Sequence, residues 1–180
     1  MPDAQIAPLP PITLVIGGAR SGKSTYAEAL IGATSTATYI ATAEAGDSEM
    51  AERIRLHRQR RAPGWQTVEE PLALAAVLVR CAQADRPVLV DCLTLWLANL
   101  MGAGRDVEAE TRTLTDAFAA LAGPVVFVSN EVGLGIVPDT PLGRNFRDAA
   151  GRLNQAVAAV ADRVVFVAAG LPLVLKEPAR

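Results

Sequence analysis

Eight consecutive residues, Gly17-Gly18-Ala19-Arg20-Ser21-Gly22-Lys23-Ser24, match the pattern G-x-x-x-x-G-K-S in full. Each residue type answers a need of a bound triphosphate. The glycines let the backbone turn so that several N–H groups point inward at phosphate oxygens. The helix that starts near Gly22 adds its positive dipole end. Lys23 reaches the terminal phosphates, and the Ser24 hydroxyl is placed to ligate magnesium. The apolar run ITLVIG precedes the motif and a helical stretch follows it, which is the context such a loop requires. The expected ligand is therefore ATP or GTP with Mg2+.

Asp91 closes a second apolar run, VLVD. A carboxylate at the end of a buried strand suits magnesium bound directly or through water. The alternative is an aspartate capping the helix that follows. His57, the only histidine, lies in RIRLHRQRR. At 3.6 residues per turn it shares a stripe with Met50, Ile54 and Arg61, with Arg53 and Arg60 to one side. One reading is a polar residue at the edge of a buried face. The other is a nucleophile: the arginines would bind polyphosphate and hold the imidazole neutral, leaving a ring nitrogen able to attack phosphorus. Composition leaves both open. Cys81 and Cys92 make neither metal-ligand spacing nor a disulfide framework and read as small buried apolar residues.

The elements that must position these groups alternate between short apolar runs and longer helical ones. Strands are expected at 12–17, 36–42, 66–70, 88–91, 124–130 and 163–170, with LPLVLK adding a short edge strand. Helices are expected at 23–32, 48–61, from Pro71 to about 83, at 93–101, 106–121 and 142–161, with a loop over 130–141. This alternation calls for an α/β fold with a mainly parallel sheet covered by helices, and loops after the strands along one ligand-binding edge. At 180 residues the chain fits one domain, expected over 12–180, preceded by a loose extension over 1–11 with several prolines. A net charge of -2 argues against a nucleic-acid binder. No run reads as a signal peptide or a membrane span, so the expected setting is the cytoplasm.

Several segments together resemble a known family. GGARSGKST at 17–25, YIATAEAGDSEMAERIRLHRQRR at 39–61, W-x-T-x-E-x-P at 65–71, NEVGLGIVP at 130–138 and GRNFRDAAGRLNQ at 143–155 are similar to the bifunctional adenosylcobinamide kinase/adenosylcobinamide-phosphate guanylyltransferases. The resemblance implies a RecA-like P-loop NTPase fold and two reactions. In the first, ATP or GTP phosphorylates adenosylcobinamide. In the second, GMP passes from GTP to a histidine and then to the cobinamide phosphate. Carried over, the guanylylated residue is His57, with Lys23 as the other catalytic group. Nucleotide contacts would fall on Gly17 to Ser24, on Ala41, Thr42 and Ala43, on Arg58, Gln59, Arg60 and Arg61, and on Glu69 and Asp91. Ser24 and Asp91 would take the metal. The family is usually trimeric, so a homotrimer is implied. For the corrinoid site the candidates are Asn130, Glu131, Arg144, Arg147 and Asn154, in family-like segments on or near the ligand edge, although Asn130 and Glu131 also fit as turn residues and the arginines as solvated helix charges.

Other readings keep the P-loop. A different small-molecule kinase would keep Asp91 and give His57 no covalent role. A guanine-nucleotide switch would need an N-K-x-D motif, which is absent, and SNEVG at 129–133 does not replace it. A nucleotide-sensing subunit would bind without turnover.

Overall fold

The structure, a computed structural model, describes residues 9–32, 36–43 and 64–178. Its elements are β1 (Ile12–Gly17), α1 (Lys23–Ile31), β2 (Ala37–Ala41), β3 (Trp65–Glu69), α2 (Leu74–Cys81), β4 (Val88–Asp91), α3 (Leu93–Gly102), α4 (Val107–Ala117), β5 (Val125–Asn130), α5 (Pro141–Val160), β6 (Arg163–Ala168) and β7 (Leu171–Lys176). The strands form one seven-stranded sheet in the order β3-β2-β4-β5-β1-β6-β7. All neighbours pair in parallel except β6 and β7, which are antiparallel. This is the expected α/β architecture, with LPLVLK as its edge strand.

The sheet explains why the strands read as unbroken apolar runs: both faces are covered. Successive residues alternate between two clusters. Leu14, Val88, Val90, Val125 and Phe127 pack with α2 to α5, against Leu78, Leu97, Leu114 and Leu153. Val15, Leu89, Val126, Val128 and Val165 pack on the other face with Ala27 and Ile31 of α1. A residue's parity along its strand therefore decides which helices it meets.

Of the boundaries that differ from the sequence expectation, three have a clear physical cause. The second helix begins at Leu74 rather than Pro71, because the Glu70 carboxylate accepts the Leu72 and Ala73 N–H groups at 3.0 and 2.7 Å. Trp96 Nε1 donates to the Leu72 carbonyl at 2.9 Å and fixes that turn. The helix expected over 106–121 ends at Ala117 and tightens into a 3-10 turn, Phe118–Ala120. There the Phe118 ring stacks on Phe127 at 5.1 Å between centroids. The chain is also tied down before Ile12, since Leu9 packs beside the α1 cluster and the Pro11 carbonyl accepts Val125 N–H at 2.8 Å. The helix expected over 48–61 and the extension over 1–8 lie outside the described residues.

Candidate active site

The loop Gly17 to Ser24 joins central strand β1 to α1. A Cβ on Gly17 would stand 2.4 Å from the Val167 carbonyl oxygen and 2.7 Å from Ser21 Oγ, so only glycine fits. Gly22 caps α1 at φ 93°, a left-handed conformation that glycine adopts without strain. Arg20 turns the loop at φ 56°. The tip of the β6–β7 hairpin braces it from outside, with Gly170 N–H donating to the Ser21 carbonyl at 2.8 Å. Ser21 Oγ is buried with no hydrogen-bond partner among the described residues, as suits a loop made to meet phosphate oxygens.

Lys23, the first residue of α1, is buried, and its Nζ donates to the Gly18 carbonyl at 3.0 Å. Burial pulls its pKa below the ordinary lysine value, while Cys92 and Asp91 act in the opposite direction. A weakly solvated ammonium needs an anionic partner, and a triphosphate supplies one. Asp91 ends β4, and its parity matches Leu89 on the α1 face, the side on which Lys23 lies. The helix after it takes Cys92, not Asp91, as its N-cap residue. The Cys92 thiol is buried, and burial, then Asp91, push its pKa up to about 11; it is no nucleophile.

Thr42, expected at the nucleotide, is fully buried. Its hydroxyl donates to the Cys92 carbonyl at 2.7 Å and accepts Cys92 N–H at 2.8 Å. Asn99 Nδ2 donates to the Thr42 carbonyl at 2.7 Å. Together these bonds bracket the ends of β2 and β4. The Ala41 carbonyl accepts Glu70 N–H at 2.9 Å, and Ala43 follows, half-buried. Glu69 pairs in register with Ala41, which pairs with Asp91 on its other side. Glu69 nevertheless sits on edge strand β3, four strands from β1, about 19 Å at sheet spacing. The structure does not bring it to the P-loop. His57, Arg58, Gln59, Arg60 and Arg61 lie outside the described residues.

A second bracket went unread in the sequence. Thr94 on α3, Ser129 on β5 and Asn154 on α5 are all buried. Asn130 N–H donates to Thr94 Oγ1 at 2.7 Å, and Thr94 Oγ1 lies 3.3 Å from Ser129 Oγ. Ser129 Oγ donates to Asn154 Oδ1 at 2.6 Å, and Asn154 Nδ2 donates to the Asn130 carbonyl at 3.2 Å. With the Ser129 proton committed to Asn154, the Thr94 hydroxyl donates to Ser129. The circuit opens and closes on the backbone of Asn130. Its signal was a polar Asn154 on the apolar stripe of α5, between Ala150 and Val157.

Of the remaining residues of the family-like segments, Glu131 and Arg144 serve the loop after β5, whereas Arg147 bonds within α5. Glu131 N–H donates to the Gly17 carbonyl at 3.0 Å, and its carboxylate accepts Gly133 N–H. Arg144 Nη1 donates to the Pro138 and Asp139 carbonyls at 3.0 and 2.8 Å. Arg147 pairs with Asp148 at 2.9 Å.

A parallel sheet whose central strand runs into a lysine-bearing phosphate loop, with an aspartate ending a nearby strand, defines a P-loop nucleotide-binding fold. A solved structure of a prototypical ATPase from the type III secretion system of pathogenic bacteria shares that fold at a TM-score of 0.57 and 12% identity, over 92% of this chain and 57% of that one. The model of the family "cobinamide kinase / cobinamide phosphate guanyltransferase" matches residues 13–175, and the chain belongs to this family. It is 52% identical over 169 residues to the bifunctional adenosylcobalamin biosynthesis protein CobP of Pseudomonas aeruginosa, covering 92% of this chain and 98% of that protein. Identity to the bifunctional adenosylcobalamin biosynthesis protein CobU of Escherichia coli is 43% over 178 residues, covering 91% and 98%.

Proposed function

We propose that this enzyme phosphorylates adenosylcobinamide and then converts the phosphate to adenosyl-GDP-cobinamide. The observation that carries the reading is the assembled phosphate loop, with buried Lys23 facing the Asp91 strand end, in a chain of the cobinamide kinase / cobinamide phosphate guanyltransferase family. In the kinase step the corrinoid hydroxyl attacks the γ-phosphorus of ATP or GTP. The bond to the β-phosphate oxygen breaks, and a nucleoside diphosphate leaves. In the guanylyl step His57 attacks the α-phosphorus of GTP, expelling pyrophosphate and leaving GMP on the ring. The cobinamide phosphate then displaces the histidine. Lys23 and the loop amides hold the polyphosphate in both steps.

Among the described residues no group of three or more His, Cys, Asp and Glu could hold a metal. Ser24 and Asp91 offer hard oxygen ligands, which suits a magnesium ion that keeps waters and shares phosphate oxygens, and does not suit zinc. These residues would hold it, and it would neutralise charge on the phosphates. No helix among the described residues is long and apolar enough to cross a membrane. We place the enzyme in the cytoplasm as a homotrimer, to be checked by light scattering.

The test is incubation with α-labelled GTP, then acid and alkali treatment of the trapped protein. An acid-labile, alkali-stable label that is absent from His57→Ala is expected. Tight GTP binding with no covalent label overturns the guanylyl step and leaves a P-loop kinase or sensor.

A further inference from the structure

The circuit of Thr94, Ser129 and Asn154 spends buried polar side chains on holding one residue, and that residue stands at the ligand edge. Asn130 pairs in register with Gly17, the first residue of the phosphate loop. Both polar groups of its backbone are tied, the N–H to Thr94 and the carbonyl to Asn154. The next residue is tied too, Glu131 N–H to the Gly17 carbonyl. Backbone freedom at this point is thus removed from two sides, by helices α3 and α5 and by the loop itself.

Parity says where the Asn130 side chain goes. Phe127 and Ser129 face α3 and α5, the first through the core and the second through its bonds to Thr94 and Asn154. Val126 and Val128 face α1. Asn130 shares their parity, so its carboxamide lies on the face that carries α1, Lys23 and Asp91. It is half-buried, and the carboxamide makes no hydrogen bond among the described residues. In register Asp91 pairs with Val128, two residues before Asn130, so Asn130 stands about 6–7 Å further out along the sheet. β5 is the strand between the loop strand β1 and the aspartate strand β4.

We propose that Asn130 is a catalytic residue of the kinase step, its carboxamide donating to the phosphoryl group in transfer, and that Thr94, Ser129 and Asn154 are its positioning residues. A carboxamide suits the task because it offers N–H donors to phosphate oxygens and an acceptor for the attacking hydroxyl, without a charge that repels the triphosphate. Held by a rigid backbone, it meets developing charge with no reorganisation. The inference rests on the kinase reading above.

The experiment is single-turnover transfer from γ-labelled ATP to adenosylcobinamide, alongside ATP affinity measured by fluorescence. For Asn130→Ala the transfer rate is expected to fall about 100-fold, with the ATP Kd within about threefold of wild type. Asn130→Ser, which restores a short donor, should recover part of the rate. The thermal midpoint should hold in both, because the side chain makes no hydrogen bond among the described residues. A variant rate equal to wild type overturns the proposal. An ATP affinity that falls by the same factor as the rate also overturns it, because Asn130 would then bind the nucleotide's ground state. Wild-type protein that binds ATP but moves no phosphate to the corrinoid defeats the kinase reading itself, whereas wild-type transfer with unimpaired Asn130→Ala defeats the inference alone.

Discussion

The two brackets at the carboxyl edge of the sheet are built from the same parts. In each, a threonine hydroxyl accepts an edge N–H, Thr42 from Cys92 and Thr94 from Asn130. In each, an asparagine donates to an edge carbonyl, Asn99 to Thr42 and Asn154 to Asn130. They differ in what they hold. The first ends on Thr42 and Cys92, both buried, with the hydroxyl consumed inside the bracket. The second ends on Asn130, whose side chain reaches past the bracket to the ligand face. Similar sets of side-chain hydrogen bonds thus yield a joint between strands in one place and a presented functional group in the other.

Lys23→Met gives the largest effect and sets the scale for both brackets. Both transfers should fall by about 10^3-fold, since both need the same bound triphosphate. Without nucleotide the variant should be more stable than wild type at pH 7. The folded-state pKa of Lys23 lies below its ordinary 10.5, so the folded protein binds fewer protons than the unfolded chain. The resulting penalty is present below the folded pKa and vanishes as pH rises toward 10.5, so the stability gap should close over that window. Urea titrations at several pH values measure it. Retained transfer would mean that neither bracket borders the reacting phosphates.

Asn154→Leu comes next and attacks the second bracket alone. It strands the Ser129 hydroxyl and the Asn130 carbonyl, each costing about 1–3 kcal/mol. The kinase rate should fall about 10-fold at constant ATP affinity, because a carboxamide misplaced by a fraction of an ångström loses its contact in transfer. Lost stability with an unchanged rate would make the two brackets equivalent. Thr42→Val is the mildest of the three. It strands Cys92 N–H, whereas the Cys92 carbonyl keeps the Trp96 N–H and Asn99 stays in place, so stability should drop while ATP affinity stays within about threefold. An affinity loss above about 10-fold would mean that Thr42 touches the nucleotide, and the contrast between the brackets would dissolve.

These differences also mark what the sequence could tell. The phosphate loop, Asp91 and the parallel sheet were legible because they rest on local pattern: glycine spacing, unbroken apolar strands and a polar residue at a strand end. Asn130 was visible as the last polar residue of PVVFVSN and Asn154 as part of a family-like segment, but the circuit that joins them was not. Ser129, Thr94 and Asn154 come from separate elements, and only the packing of α3 and α5 against β5 joins them. Thr42 was named as a nucleotide contact only through the family resemblance, and nothing local shows that its hydroxyl turns inward to Cys92. Pro71 looked like a helix start because proline tolerates that position, whereas the Glu70 carboxylate holds Leu72 and Ala73 in a turn. Glu69 fell within a family-like segment, and only the strand order shows how far β3 lies from β1.

The phosphate loop appears early in the chain, yet its supports arrive late. Its strand, residues 12–17, pairs with residues 125–130 and 163–167, and the brace at Ser21 comes from Gly170. During synthesis on a ribosome, an emerging chain that already contains the whole G-x-x-x-x-G-K-S motif still lacks both neighbours of the strand that carries it. Such distant pairings pay their loop-closure entropy before any contact rewards it, which makes this centre of the sheet slow to form. The loop that meets triphosphate is therefore held in shape by the last third of the chain, and its architecture is complete only when residue 170 is in place.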